Sequence, residues 1–381
     1  MRRSFHALSA AVVVLIGLLI PMIMSAEVEC PAESWIEAKP DLVPGVRICG
    51  LMVYDIESDI VLLYGGFDGA AGSGDIWAYD YETNEWENMT PLISPPRRFG
   101  QGFIYDESRD RCIMFFGTDA GGIYFNDTWE YDYNTNTWTE LSPEHSPSPR
   151  CKGGSAYDIE SDQVIFFGGY GPDEINLDET WTFNYDENTW VNRTSDVKPS
   201  PRKRNPMIYD EANDVTIMFG GWIDGEEVLG DTWAYDFNTN TWKNMNPPSP
   251  PAPRARYGRA YLPGIEGVII THGYGGSAGD FNDTWIYDHS ENTWTEVHYG
   301  GPAAQDRHCF QMALDRESGV IVVQGGNTPG LGNFEDTWIL NPYPEEEDGS
   351  GTLLTVIILL SFVIVLIGII GIVIIRSSRS D

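Results

Sequence analysis

The sequence predicts an all-β protein in which six four-stranded units close into a ring, and three observations carry that prediction. The first is a period. Tryptophans recur at 77, 129, 181, 233, 285 and 338, spaced by 52, 52, 52, 52 and 53 residues, which marks a repeat architecture. The second is the run Asp127-Thr128-Trp129-Glu130-Tyr131-Asp132-Tyr133-Asn134-Thr135-Asn136-Thr137-Trp138, with variants at 75–86, 178–190, 231–242 and 283–294 and a half copy at Asp336-Thr337-Trp338. The third is an arginine ahead of each unit: Arg47, Arg98, Arg150, Arg202, Arg254 and Arg307, each seven residues before Tyr54, Tyr105, Tyr157, Tyr209, Tyr261 or Leu314. Forty glycines and 24 prolines, with 13 tryptophans and 19 tyrosines, suit short strands and turns rather than helices.

Each unit reads as four strands. In the third, a strand over 152–157 turns at 158–162 into an apolar strand over 163–167 that ends at Gly168-Gly169. A longer loop then leads to a strand over 180–184, and a tight turn at 186–188 returns the chain into Trp190. Within the repeated hairpin, Trp129 and Tyr131 lie two apart and so on one face. A turn centred on Asn134-Thr135 brings Trp138 opposite Tyr131, and Asn136 suits the left-handed residue that ends such a turn. The glycine pair weakens a strand, so a bulge or a close backbone approach is its expected reason.

The sixth unit stops after its third strand, near Leu340, without a second tryptophan. The missing piece lies at the other end of the chain. Ser34-Trp35-Ile36-Glu37 matches Thr137-Trp138-Thr139-Glu140, and Trp35 precedes Arg47 by 12 residues, as Trp138 precedes Arg150. The N-terminal segment is therefore expected to be the outer strand of the last blade of a six-bladed β-propeller, leaving only short, protected edges.

The double glycines (Gly65-Gly66, Gly168-Gly169, Gly220-Gly221, Gly325-Gly326), the Asp-Thr-Trp-x-Tyr-Asp-x-x-Thr-Asn-x-Trp run and the following Pro-Arg resemble Kelch repeats over residues 33–341. Local departures are Gly117-Thr118 and Gly273-Tyr274 in place of the glycine pair, and Pro263-Gly264-Ile265-Glu266-Gly267 as the first turn of the fifth unit. The resemblance implies a six- or seven-bladed propeller, and the count here gives six. It also implies protein binding as the commonest role, with a minority of enzymes such as relatives of galactose oxidase or sialic acid epimerases. Fold alone does not decide between these.

The chain of 381 residues carries 57 acidic and 23 basic residues, a formal charge of −34. Most acids must then face solvent, as suits a solvated shell in salty or extracellular surroundings. No Asp-x-Asp-x-Asp-Gly loop with a closing Glu supports a calcium-binding surface. Residues 1–26 read as a secretory signal, with Arg2-Arg3, an apolar run over 7–24 and Ser25-Ala26. Arg2-Arg3-Ser4-Phe5 partly resembles a twin-arginine export signal, and an uncleaved anchor is the alternative. Residues 27–341 form the expected ectodomain and 342–352 an acidic spacer. Residues 353–375 are apolar enough to be a transmembrane helix. Arg376 and Arg379 place the tail, 376–381, on the cytoplasmic side. This predicts a single-pass cell-membrane protein with its propeller outside. Sequons begin at Asn88, Asn126, Asn192 and Asn282, which suits a glycoprotein. Of the five cysteines, Cys30, Cys49, Cys112, Cys151 and Cys309, the first two and the last are the better candidates for a disulfide; buried free thiols are the alternative.

No catalytic triad, phosphate loop, zinc spacing or sialidase-type Asp box stands out. Among His145, His272, His289, His298 and His308, only His272 and His308 fall where they could approach one another as metal ligands. Cationic residues are more informative. Setting aside Arg2, Arg3, Arg376 and Arg379, 19 remain, and twelve cluster at the starts of the first strands: Arg47, Arg97, Arg98, Arg150, Lys152, Arg202, Lys203, Arg204, Arg254, Arg256, Arg259 and Arg307. An Arg present in every repeat is expected to be scaffold, paired with an Asp. The site should lie where the repeats disagree. Two positions beyond the repeat Arg the series reads Cys49, Gly100, Lys152, Arg204, Arg256, Cys309, so blades three to five present a basic arc to one mouth of the axial channel, with Arg259 added alone. Loop aromatics at the same mouth are Phe67, Tyr124, Tyr170, Trp222, Tyr274 and Phe334. The expected ligand-binding set is Lys152, Arg204, Arg256, Arg259, Trp222 and Tyr170. These would take an anionic protein or glycan without metal or cofactor, and no nucleic acid. The alternatives are a carbohydrate-active enzyme and a structural element of the cell envelope.

Overall fold

The computed structural model describes residues 34–223, 225, 227–300 and 304–343, and there the chain forms six four-stranded antiparallel sheets. β1 (Trp35–Ala38) comes first. Blade one is β2 (Leu51–Asp55), β3 (Ile60–Tyr64), β4 (Ile76–Asp80) and β5 (Glu85–Asn88); blade two is β6 (Gly102–Asp106), β7 (Arg111–Phe115), β8 (Thr128–Asp132) and β9 (Thr137–Leu141). Blade three is β10 (Gly154–Asp158), β11 (Gln163–Phe167), β12 (Thr180–Asn184) and β13 (Thr189–Asn192); blade four is β14 (Met207–Asp210), β15 (Val215–Ile223), β16 (Glu227–Asp236) and β17 (Thr241–Asn244). Blade five is β18 (Gly258–Leu262), β19 (Gly267–Tyr274), β20 (Asp280–Asp288) and β21 (Thr293–Val297). Blade six is β22 (Gln311–Leu314), β23 (Ile321–Thr328), β24 (Gly332–Leu340) and β1. The first strand of each blade faces the axis and packs on the next, with β22 meeting β2 to complete the circle.

The ring closes as the tryptophan spacing requires. β1 pairs with β24 in the register Trp35↔Leu340 to Ala38↔Thr337. Trp35 stands edge-on to His272, with ring centroids 5.6 Å apart. The expected signal, membrane span and tail, and the expected spacer beyond Tyr343, lie outside the described residues. Among those described, no helix is long and apolar enough to cross a membrane.

Apolar packing lies between neighbouring blades: Leu62 and Tyr64 of blade one share a cluster with Phe103, Met114, Tyr131 and Trp138 of blade two. Each part of the repeated run has a role in that packing. Tyr131 faces Trp138 across the hairpin, ring centroids 4.9 Å apart, and its hydroxyl donates to Asn136 Oδ1 at 2.9 Å. Asn136 sits at φ 52°, where Asn is tolerated better than most residues. The threonine ties one blade to the next. The indoles of Trp190, Trp242, Trp294 and Trp86 donate to the Oγ1 of Thr128, Thr180, Thr232 and Thr337 of the preceding blade, at 2.9–3.1 Å. Where Ile76 stands in place of that threonine, Trp138 Nε1 is buried without a partner.

The aspartate of the run clamps the repeat arginine. Arg47, Arg98, Arg202, Arg254 and Arg307 each bind both oxygens of Asp75, Asp127, Asp231, Asp283 and Asp336 at 2.5–3.0 Å. The same carboxylates accept the indole N–H two residues on. In blade three the clamp residue is Glu179, not Asp178, and only Arg150 Nη2 reaches it, at 2.6 Å. The six arginines are 0–3 % exposed, so they are scaffold.

In all of them but Arg150, Nη1 also donates to a main-chain carbonyl, at Gly65, Phe116, Gly220, His272 and Gly325. This corrects the alignment of the glycine pair. Its counterparts in blades two and five are Phe116-Gly117 and His272-Gly273. Phe116 and His272 keep the left-handed backbone, at φ 60° and 58°. At Gly220 the constraint is close approach, since a Cβ would meet the Arg254 carbonyl oxygen at 2.3 Å.

Candidate functional site at the axial mouth

Two residues beyond each repeat arginine the chain turns left-handed, at Cys49, Gly100, Lys152, Arg204, Arg256 and Cys309, with φ between 54° and 63°. Each of these residues donates its N–H to the carbonyl of its equivalent in the preceding blade. The distances run 2.9 Å (Cys49 to Cys309), 3.1 Å (Gly100 to Cys49), 2.6 Å (Lys152 to Gly100), 2.6 Å (Arg204 to Lys152), 3.4 Å (Arg256 to Arg204) and 3.0 Å (Cys309 to Arg256). Six backbone hydrogen bonds thus form a closed neck around the axis. A left-handed conformation costs a residue with a Cβ roughly 1–2 kcal/mol, and the chain uses glycine at one of the six positions. Long cations fill three of the others, so their presence needs a reason other than the turn.

The neck opens on a cavity of about 100 Å³ whose lining includes Lys152, Arg204, Arg256 and Arg259, and no carboxylate. In a chain of charge −34, that is a local inversion of sign. Burial, and then the charge of Arg204, depresses the Lys152 ammonium. Burial likewise pushes Arg256 down. Arg204 is also opposed by burial, but the sulfurs of Cys49 and Cys309 outweigh that and push it up. The Nε atoms of Arg204 and Arg256 are buried without a hydrogen-bond partner.

Aromatic rings frame these cations. The end of each second strand, or the segment just after it, bridges back to the residue beside the neck, as in Cys151↔Tyr170, Lys203↔Trp222 and Ala255↔Tyr274. The Arg256 guanidinium lies 4.5 Å from the Trp222 ring and 5.1 Å from Tyr274. Lys203 lies 3.7 Å from Tyr170 and 5.7 Å from Trp222. Lys152 lies 6.0 Å from Tyr170. Trp222 Nε1 is a third buried donor without a partner.

The structure therefore gathers Lys152, Arg204, Arg256, Trp222 and Tyr170 at one mouth. Lys203 and Tyr274 join them, although the ligand-binding set read from the sequence contained neither. Tyr274 was legible as the counterpart of Tyr170 and Trp222 one or two blades on. Arg259 lies deeper, donating Nε to the Met207 carbonyl at 3.0 Å. Phe334 belongs to the scaffold: it covers the Arg307 guanidinium at 4.5 Å, as Phe125 covers Arg98 and Phe281 covers Arg254. The two histidines do not converge. His272 is bound to Thr271 Oγ1 and the Ala304 carbonyl, and His308 Nδ1 faces both Asp280 oxygens at 2.9 Å. Among the described residues no group of three or more His, Cys, Asp or Glu is placed to hold a metal ion. Toward the opposite mouth a second cavity, about 190 Å³, is lined by Tyr54, Tyr105, Tyr157 and Tyr209. There Arg316 of blade six bonds to Glu107 at 3.0 Å and to Glu211, an ion-pair strap to blades two and four.

Comparison with known proteins agrees with this architecture. Residues 154–346 match the KLHDC2/KLHL20/DRC7 Kelch-repeats domain model, and residues 34–196 match the Attractin/LZTR1 β-propeller model. The chain is 28 % identical over 206 residues to the dynein alpha chain of the flagellar outer arm of Chlamydomonas reinhardtii, covering 49 % of this chain and 4 % of that one. It is 23 % identical over 256 residues to an F-box/kelch-repeat protein of Arabidopsis thaliana, covering 61 % of this chain and 52 % of that one. The match thus spans about half of the plant relative and a small part of the dynein.

Proposed function

Because the chain belongs to the Kelch-repeat family of β-propellers, whose members mostly serve as protein-interaction domains, we propose that it is a non-enzymatic recognition domain that seats an acidic protein segment at the cationic mouth. The observation that carries this reading is the carboxylate-free lining of the neck cavity, with four cationic side chains in a strongly acidic molecule. Cations crowded together with no carboxylate among them are costly, and an incoming carboxylate offsets that cost. It also offers acceptors to the unpartnered Nε atoms of Arg204 and Arg256. Trp222 and Tyr274 supply flat apolar walls that let a peptide backbone lie against the cations. We further propose that the propeller stands outside the membrane, with residues 353–375 as its span; the apolar run and the following Arg376 and Arg379 support this.

The test is fluorescence anisotropy with a labelled hexaglutamate peptide. Wild-type protein should bind it, more weakly as salt is raised. The Lys152→Glu/Arg204→Glu/Arg256→Glu protein, folded by circular dichroism, should not. Binding that survives the triple change refutes the site. If polygalacturonate binds and the peptide does not, the ligand is an anionic glycan instead.

A further inference from the structure

At the seam where the ring closes, the neck carries sulfur instead of nitrogen. Cys49 of blade one and Cys309 of blade six occupy equivalent positions, joined by the Cys49 N–H to Cys309 carbonyl bond of 2.9 Å. Their Sγ atoms lie 2.9 Å apart. Arg204 Nη1, reaching in from blade four, is 3.2 Å from Cys49 Sγ and 3.4 Å from Cys309 Sγ. Both thiols line the cavity of the neck, so a small oxidant has a path to them. Cys112 and Cys151 are free thiols as well, but neither lines that cavity and neither has a thiol partner beside it.

We propose that Cys49 and Cys309 form a peroxide-oxidisable dithiol whose disulfide links the first blade to the last. The Cys49 thiol is held well below its ordinary range, first by its hydrogen bond with Cys309 and then, against burial, by Arg204 and Arg256. Burial and the neighbouring Cys49 push Cys309 up. One member is thus the thiolate nucleophile and the other the resolving thiol. Cys49 sulfur attacks a peroxide oxygen, the O–O bond breaks, and the departing hydroxide takes a proton to become water. Cys309 sulfur then attacks the Cys49 sulfenic acid, the S–O bond breaks, and the second hydroxide leaves as water with the Cys309 proton. Two thiols and one peroxide become one disulfide and two waters. The sulfurs need to approach by less than about 1 Å to reach an S–S bond of about 2.05 Å. Oxidation also removes the negative sulfur that faces Arg204, which leaves that guanidinium available to an anion. This second consequence rests on the binding reading above; the cross-link does not.

Reduced full-length protein would be treated with stoichiometric hydrogen peroxide, alkylated and digested for mass spectrometry. The expected result is a Cys49–Cys309 linked peptide, lighter by two hydrogens, reversed by dithiothreitol and absent from Cys309→Ser, with Cys112 and Cys151 still alkylated. Arg204→Gln should form it more slowly. Thiols that stay free, a sulfinic acid at Cys49 without a cross-link, or a bridge to Cys30 each overturn the assignment. Oxidised protein should bind hexaglutamate about two- to fivefold more tightly, the factor that one partly screened ion pair contributes. Equal affinity in the two states refutes the regulatory consequence. Failure of the peptide to bind in either state counts against the binding reading while the linked peptide still stands.

Discussion

The substitution Glu179→Asp should stabilise the protein, and the reason can be worked from the six copies of one clamp. In five blades an aspartate accepts from both Nη atoms of the repeat arginine at 2.5–3.0 Å. In blade three the longer Glu179 presents one oxygen, Oε2, to Arg150 Nη2 at 2.6 Å. Arg150 Nη1 is left buried with no partner, and burial pulls the Arg150 guanidinium below its ordinary range despite Glu179. A buried donor without an acceptor costs about 1–3 kcal/mol. Shortening the side chain by one methylene restores the two-pronged geometry of the other blades, so a gain of about 1–2 kcal/mol is expected. For a domain of this size that is a rise of about 1.5–3 °C in the melting midpoint. The assay is thermal and urea unfolding of wild type and variant followed by tryptophan fluorescence. Asp231→Asn is the control in the other direction, because breaking a buried pair costs about 3–5 kcal/mol. A Glu179→Asp protein with an unchanged or lower midpoint would refute the reasoning, showing that blade three needs the longer reach.

Three further outcomes follow from the scaffold and the mouth. Thr180→Val removes the acceptor of the Trp242 indole and should cost about 1–3 kcal/mol in urea unfolding. Burial drives the His272 imidazole down to about 4, so between there and the unfolded value of about 6.5 the unfolded chain takes up a proton that the folded one refuses. Stability is therefore full above pH 6.5 and declines by about 3 kcal/mol as pH falls toward 4. His272→Asn, which tolerates the left-handed backbone, should flatten that decline, and an unaltered slope would assign it elsewhere. Trp222→Ala should weaken hexaglutamate binding while leaving the unfolding free energy within about 0.5 kcal/mol of wild type; a variant that binds normally would take the indole out of the site.

Most of the ring was legible because repetition carries redundant information. The tryptophan spacing places 24 strands, and the match of Trp35 to Trp138 places β1 beside β24. The series Cys49, Gly100, Lys152, Arg204, Arg256, Cys309 was legible as the place where the repeats disagree. Its hydrogen-bonded neck was not, because a left-handed turn at lysine, arginine and cysteine has no sequence signal of the kind glycine gives. The same blindness put the glycine pair one residue out of register at Phe116 and His272. The six repeat arginines among the twelve clustered cations were legible as scaffold, and each is spent on a carboxylate inside the blades.

The central claim, that an acidic segment sits at the neck, is tested most directly by finding where such a segment lies. A hexaglutamate peptide carrying a photoreactive group would be cross-linked to the full chain and the attachment sites mapped by mass spectrometry. The account predicts adducts at Lys152, Lys203, Arg204, Trp222, Arg256 and Tyr274, lost in excess unlabelled peptide. Specific adducts confined to the outer strands, or to the Arg316 end of the channel, would contradict it.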